Sequence, residues 1–223
     1  MTDKLVIFDC DGVLVDSEVI SIKLLMLHVA TRGVCLSEQQ AYRAFLGKPV
    51  ADAHTYVNEM FGFEIEQVDL VDFQVDILRE FRAKLQPVTG LKDALEGIPT
   101  AKCVASSSNM ARISGSLRLT GLSDFFGQNL FSTDQVKRGK PHPDVFLHAA
   151  SVMKAEPEQA VVVEDSPAGL MAARAAGMKT IAFVGASHAE PANLREHLAH
   201  QKPDIMIDDM AQLPSSISKL LNE

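Results

Sequence analysis

KLVIFDCDG, residues 4–12, is a β-branched apolar run that stops at two aspartates and a glycine. A run of this length bounded by turn residues reads as a buried strand. The same pattern returns at 101–105 (AKCVA), 129–131 (NLF), 160–163 (AVVV), 179–183 (KTIAF) and 204–207 (DIMI). Helical spacing fills the stretches 109–119, 143–153, 167–176, 190–200 and 209–221. Buried strands alternating with helices imply a parallel sheet covered on both faces. The expected class is therefore α/β, with a Rossmann-like core.

One block interrupts the alternation. Residues 17–32 read as a helix opened by Ser17 and closed by Gly33, and 37–46 as a second, with Ser37 and Gln40 forming a capping box. Gly47-Lys48-Pro49 breaks that helix, and 50–61 and 66–85 look like two more. The block is thus an α-helical domain, 17–86, inserted after the first strand. The α/β core is discontinuous, 1–16 plus 87–223.

Composition narrows the function. A length of 223 residues suits one large domain or one domain with an insert. The formal charge of −8 argues against nucleic acid as a partner, because phosphate backbones need a basic face. A small phosphorylated metabolite needs only a local positive site. Cys10, Cys35 and Cys103 are odd in number and widely spaced. They fit neither a disulfide framework nor a zinc knuckle, and read as free thiols in a reducing, cytoplasmic setting. No apolar run is long enough to cross a membrane, so no membrane partner is expected. Nothing suggests a coiled coil; a monomer or weak dimer is the default.

In open α/β sheets ligands bind beyond the carboxyl ends of the strands. The polar residues that follow each strand are therefore the candidates. Asp9 and Asp11 point to one side of an extended chain and repel, so they call for a cation or a shared proton; an ordinary Asp-Gly surface turn at Gly12 fits as well. Glu164 and Asp165 follow another apolar run, where they either open the next helix ahead of Pro167 or add hard oxygen ligands suited to Mg2+. Ser106, Ser107, Ser108 and Asn109 join a strand to a helix N-terminus, a place for an anion or simply for helix capping. Lys140 sits in a loop between Gly139 and Pro141, as a placed charge or a solvated one.

Taken in order, FDCDGVLVDSE (8–18), VASSSN (104–109), GKPHPDVF (139–146) and VVVEDSPAGLMAARAAGM (161–178) resemble the haloacid dehalogenase-like hydrolase superfamily. The last stretch is similar to the phosphatase and phosphoglucomutase-like subgroup with a helical cap, and the DCDG and DSE segments most resemble sugar-phosphate and 6-phosphogluconate phosphatases. The resemblance implies that Asp9 is a nucleophile forming an aspartyl-phosphate and Asp11 a general acid, then base. It implies that Ser106, Ser107 and Lys140 hold the phosphoryl group. It also implies Mg2+ held by Asp9, the main-chain carbonyl of Asp11 and Asp165, with Glu164 acting through water. Asp11 sets the chain apart from the dehalogenating and phosphonate-cleaving relatives, which lack an Asp there. Mutases resembling this subgroup carry a cap His and a cap Arg where this chain has Ser21 and Val50, which favours water as the acceptor. A β-phosphoglucomutase-like mutase and a non-catalytic binding or regulatory protein are the alternatives. Lys48, Glu18 and Asn109 are candidate substrate contacts, Asp16 a hinge or substrate residue, and His142 a loop-packing neighbour of Lys140.

Overall fold

A computed structural model describes residues 4–31, 33–45 and 67–222. The apolar run after Lys4 forms β1 (Leu5–Phe8), every residue of which is buried. It lies inside a six-stranded sheet with β2 (Ala101–Ser106), β3 (Leu130–Ser132), β4 (Ala160–Glu164), β5 (Lys179–Phe183) and β6 (Ile205–Ile207). The order is β3-β2-β1-β4-β5-β6, and every neighbouring pair is parallel. The strands fall where the apolar runs place them.

Successive strand residues point to opposite faces, and two cores follow. Leu5, Ile7, Cys103, Ala105 and Val162 pack on one side with Val145, Phe146 and Ala149 of α7 (Asp144–Met153) and Ala172 and Ala173 of α8 (Pro167–Ala175). Val6, Phe8, Val104, Val161 and Val163 face the other way. They meet Leu91 and Leu95 of α4 (Leu91–Glu96), Ile113 and Leu117 of α5 (Met110–Thr120), and Ile217 and Leu220 of α10 (Leu213–Asn222). Alanines on α8 let that helix lie close to the sheet.

The helical block is present as α1 (Glu18–Ala30), α2 (Glu38–Phe45) and α3 (Gln67–Lys84). The expected capping box forms, with Ser37 N donating to Gln40 Oε1 at 2.9 Å and Gln40 N donating to Ser37 Oγ at 3.3 Å. Gly33, at φ +81°, ends α1 in a conformation that favours glycine. Ser17 does not cap α1 with its side chain; its hydroxyl is spent on Asp11 instead. α1 and α3 pack together, His28 edge-on to Phe73 with ring centroids 5.3 Å apart. The chain leaves the sheet and returns to it side by side: Asp16 N donates to Gln86 O, and Val88 N to Leu14 O, both at 3.0 Å.

Two boundaries differ from the expectation, and two short helices add to it. The helix expected over 190–200 shrinks to α9 (Leu194–Ala199), because Asn193 takes a left-handed conformation at φ 49°. The helix expected over 209–221 starts with a 3-10 turn, Met210–Gln212, capped by Asp209. Two short helices, α4 and α6 (Ser123–Phe126), were not marked by the periodicity, being too short to show it. The helix expected over 50–61 and the Gly47-Lys48-Pro49 turn lie outside the described residues. None of the described helices is long and apolar enough to cross a membrane.

Candidate active site

The register of β1 aligns Phe8 with Val104 on one side and Val163 on the other. Asp9 therefore leaves the sheet between Ala105 and Glu164, and its N–H still donates to Val163 O at 3.0 Å. Lys140 reaches into this gap. Its Nζ lies 2.5 Å from Asp9 Oδ1, 2.6 Å from Glu164 Oε1 and 3.1 Å from Ala105 O. The ring of Phe146 supports the ammonium from 4.9 Å. The lysine side chain is 4% exposed, so the charge is placed and not solvated.

Asp9, Glu164 and Asp165 are all buried here, against one lysine. Fully ionised, the four groups would carry a net charge of −2 in a medium that penalises charge. Lys140 accordingly holds its proton more tightly than usual, since Asp9 and Glu164 outweigh the cost of its burial. Asp9 and Asp165 are pushed well above the usual carboxylate range. Burial is the main cause for both; Lys140 opposes it at Asp9, and Glu164 adds to it at Asp165.

Glu164 is fixed from two sides. One oxygen meets Lys140, and the other accepts from Ser166 N at 2.8 Å and Ser166 Oγ at 2.9 Å. Ser166 also caps α8, accepting from Gly169 N at 3.0 Å, with Pro167 in the first turn. A Cβ on Gly169 would fall 1.8 Å from Glu164 Oε1. Gly169→Ala should therefore push Glu164 off Lys140. Breaking this buried pair costs about 3–5 kcal/mol, more than the about 1 kcal/mol by which alanine favours a helix over glycine, so the melting temperature should drop and activity should fall at least about tenfold, a barrier change of about 1.4 kcal/mol. Unchanged turnover with an unchanged melt would show that the Lys140–Glu164 contact is dispensable.

Asp165 faces Gly12 and His188. His188 Nε2 lies 3.1 Å from Asp165 Oδ2, yet both ring nitrogens lack a hydrogen bond of good geometry. Burial pushes the His188 pKa down, which favours the uncharged ring. Gly12 sits at φ +79°, and a Cβ there would fall 1.8 Å from Asp165 Oδ2. Only glycine lets the loop after β1 approach Asp165 this closely.

Asp11 is held by three donors. Ser17 Oγ and Arg112 Nη2 donate to Oδ1 at 2.6 and 2.9 Å, and Ser108 Oγ donates to Oδ2 at 2.6 Å. Burial pushes this carboxyl up, but Arg112 and the three hydrogen bonds outweigh it and hold it below its ordinary value. Glu18, the first residue of α1, is pushed up to about 7 by burial, with Asp11 adding to the effect.

The serine loop is tied to the strand beside it. Ser132 Oγ donates to Ser108 O at 2.8 Å, and Thr133 Oγ1 to Ser107 O at 3.2 Å. Ser106 is buried, and its Oγ accepts from Ser108 N at 3.1 Å. Asn109 caps α5, its side chain accepting from Arg112 N at 2.9 Å. Ser106, Ser107 and Asn109 border a cavity of about 510 Å³ together with Asp9, Asp11, Glu18, Lys140, Glu164 and Asp165. Phe73, Ile77, Leu78 and Phe81 of α3 form its apolar wall. Asp16 accepts from Ser187 Oγ, and His142 is exposed in the Lys140 loop. Lys48 and Val50 lie outside the described residues.

Among the described residues no three acidic, histidine or cysteine side chains form a ready-made metal cage. The donor set still fits a hard cation. Mg2+ takes one or two carboxylates and keeps several waters. Asp165 is buried among acids and pairs with no lysine or arginine among the described residues. Sequence reasoning misses Arg112 and His188 as parts of the site, and marks Ser108 only as part of the serine loop and not as a partner of Asp11. Arg112 lies three residues after the capping Asn109, which places it one helical turn into α5 and back over the crevice; that spacing was the available signal. Nothing local to His188 marks it.

The model of the haloacid dehalogenase-like hydrolase family matches residues 6–183. A 6-phosphogluconate phosphatase of Escherichia coli is 28% identical, over 83% of this chain and 85% of its own. A phosphorylated carbohydrates phosphatase of Thermotoga maritima is 31% identical, over 79% of this chain and 82% of its own. Among solved structures, a haloacid dehalogenase-like protein of unknown function from Agrobacterium tumefaciens superposes with a TM-score of 0.86 at 32% identity, covering 98% of this chain and 99% of that one.

Proposed function

This chain belongs to the haloacid dehalogenase-like hydrolase family, and from that premise we propose that it is a Mg2+-dependent phosphatase of a small sugar-phosphate or phosphogluconate-like metabolite. The observation that carries this reading is Asp9 at the end of β1, paired with a buried Lys140 at the floor of the cavity. The names of the E. coli and T. maritima relatives support the substrate class.

An Asp9 oxygen bonds to phosphorus as the bond from phosphorus to the leaving oxygen breaks; Asp11, which accepts from Ser17, Ser108 and Arg112 in the free site, takes up a proton from solvent as the substrate binds and gives it to that oxygen. Water then attacks the phosphorus of the aspartyl-phosphate, Asp11 takes the proton back, and the Asp9 carboxylate and inorganic phosphate are released. Lys140 offsets charge on the transferring group, while Ser106, Ser107 and the N-terminus of α5 bind its oxygens. Asp9, the main-chain carbonyl of Asp11 and Asp165 would hold Mg2+, which supplies positive charge beside the phosphoryl oxygens. Glu164 keeps Lys140 in place. Residues 17–86 act as a cap, with α3 covering the leaving group and shedding water from the site.

The test is phosphate release from a panel of phosphorylated metabolites, with Mg2+ and with EDTA. Release that needs the metal and drops at least about 10³-fold in Asp9→Asn is expected, as for loss of a nucleophile that acts as one unit with its partners. Interconversion of hexose phosphates without release would replace this reading with a mutase. Binding of phosphate esters with neither reaction would leave a binding protein.

A further inference from the structure

Resting on the phosphatase reading above, we propose that Arg112 is a positioning residue for Asp11: it fixes the direction of that carboxylate and ties it to the helices that cover the site. Asp11 follows β1, and Arg112 stands on α5, 101 residues further along the chain. Arg112 Nη2 lies 2.9 Å from Asp11 Oδ1 and 3.5 Å from Ser21 Oγ on α1. The guanidinium lies over the Phe81 ring of α3, 4.9 Å from its centroid. One side chain thus touches the acid and both helices that lead into and out of the cap.

Two details separate this from an ordinary surface arginine. Its side chain is only 21% exposed. Its Nε is buried with no hydrogen-bond partner, so the group is placed for Asp11 and Phe81 at the expense of one of its own donors. Ser17 and Ser108 also donate to Asp11, but a hydroxyl turns freely about its own bond. The planar guanidinium, stacked on a ring, sets a direction. Direction matters because a proton donor displaced by about 1 Å can cost a catalyst 10²-fold.

The test uses two esters of the same phosphoryl group. A sugar phosphate expels an alkoxide and needs Asp11 to protonate it, whereas p-nitrophenyl phosphate expels a phenolate that leaves without help. The ratio kcat/KM reports steps up to formation of the aspartyl-phosphate, so the later role of Asp11 toward water does not confuse the comparison. Arg112→Met should lower kcat/KM on the sugar phosphate by about 10²-fold and leave p-nitrophenyl phosphate within about threefold, well under one decade of barrier change. Arg112→Lys keeps the charge but not the fork, and should fall between the two on the sugar phosphate. In an Asp11→Asn background, adding Arg112→Met should cost nothing more. An equal loss on both esters, an additive double variant, or no loss at all would each overturn the proposal. A wild-type protein that cleaves neither ester would instead overturn the phosphatase reading, and the role of Arg112 with it.

Discussion

Lys140→Met should reduce phosphate release by about 10³-fold, the scale expected when a preorganised electrostatic group is removed from a site that excludes water. The same substitution should also destabilise the fold. Lys140 is the counter-charge for Asp9 and for Glu164, whose side chain is 1% exposed. Removing one partner of a buried pair costs about 3–5 kcal/mol, because the other charge stays buried. The pH dependence separates this cause from a simple packing defect. Burial already pushes Asp9 up, with Lys140 opposing. Without the lysine that push is unopposed, and the folded state binds protons that the unfolded chain, with carboxyl pKa values of about 4, has released. The variant should therefore regain stability as pH falls. Thermal melts at pH 8 and pH 5 check this: the deficit against wild type should be large at pH 8 and smaller at pH 5. A deficit independent of pH would assign the loss to packing against Phe146.

How far the sequence reaches is clearest at β1 and least clear at α5. Leu5–Phe8 is a continuous apolar run because both its faces are covered, and such a run can be read without a structure. The aspartates after it are legible for the same reason, since the strand ends where they begin. Asp9 and Glu164 come together because β1 and β4 are parallel neighbours, and Lys140 reaches them from the loop before α7; the alternation of strands and helices implies parallel strands but not their order. Arg112 is marked only by its spacing, one helical turn after the capping Asn109, and that spacing suits an arginine facing solvent as well as one that turns back over a crevice. Glu164 reads in sequence as one of four acids and in three dimensions as the anchor of Lys140 and Ser166. Which acid meets the lysine depends on side-chain direction at the end of β4, and periodicity does not carry that. His188 lies in the turns that precede the helix expected over 190–200, so its approach to Asp165 had no sequence signature.

Mg2+ should stabilise the protein strongly at pH 8 and weakly at pH 5. Asp9 and Asp165 are both pushed well above the usual carboxylate range, chiefly by burial. A raised carboxyl pKa means that, above about pH 4, the folded state keeps protons which the unfolded chain has lost. The metal-free protein should then lose stability as pH rises through that window, which extends up to the raised folded values. A divalent cation bound by the same oxygens takes the place of those protons, so metal and protons compete. At low pH the protons already balance the site and Mg2+ gains little; at high pH it removes the repulsion among Asp9, Glu164 and Asp165. A cation at a hundredfold excess over its dissociation constant contributes about 2.7 kcal/mol. For a chain of this size that corresponds to a rise of about 5–10 °C in melting temperature. Thermal melts across pH 5–8, with Mg2+ and with a monovalent salt at matched ionic strength, measure it. Asp165→Asn should remove most of the Mg2+ effect and part of the pH slope together, because one carboxylate supplies both. A Mg2+ effect as large at pH 5 as at pH 8, or one that survives Asp165→Asn, would place the cation away from these oxygens and leave the raised carboxyls to be balanced by Lys140 alone.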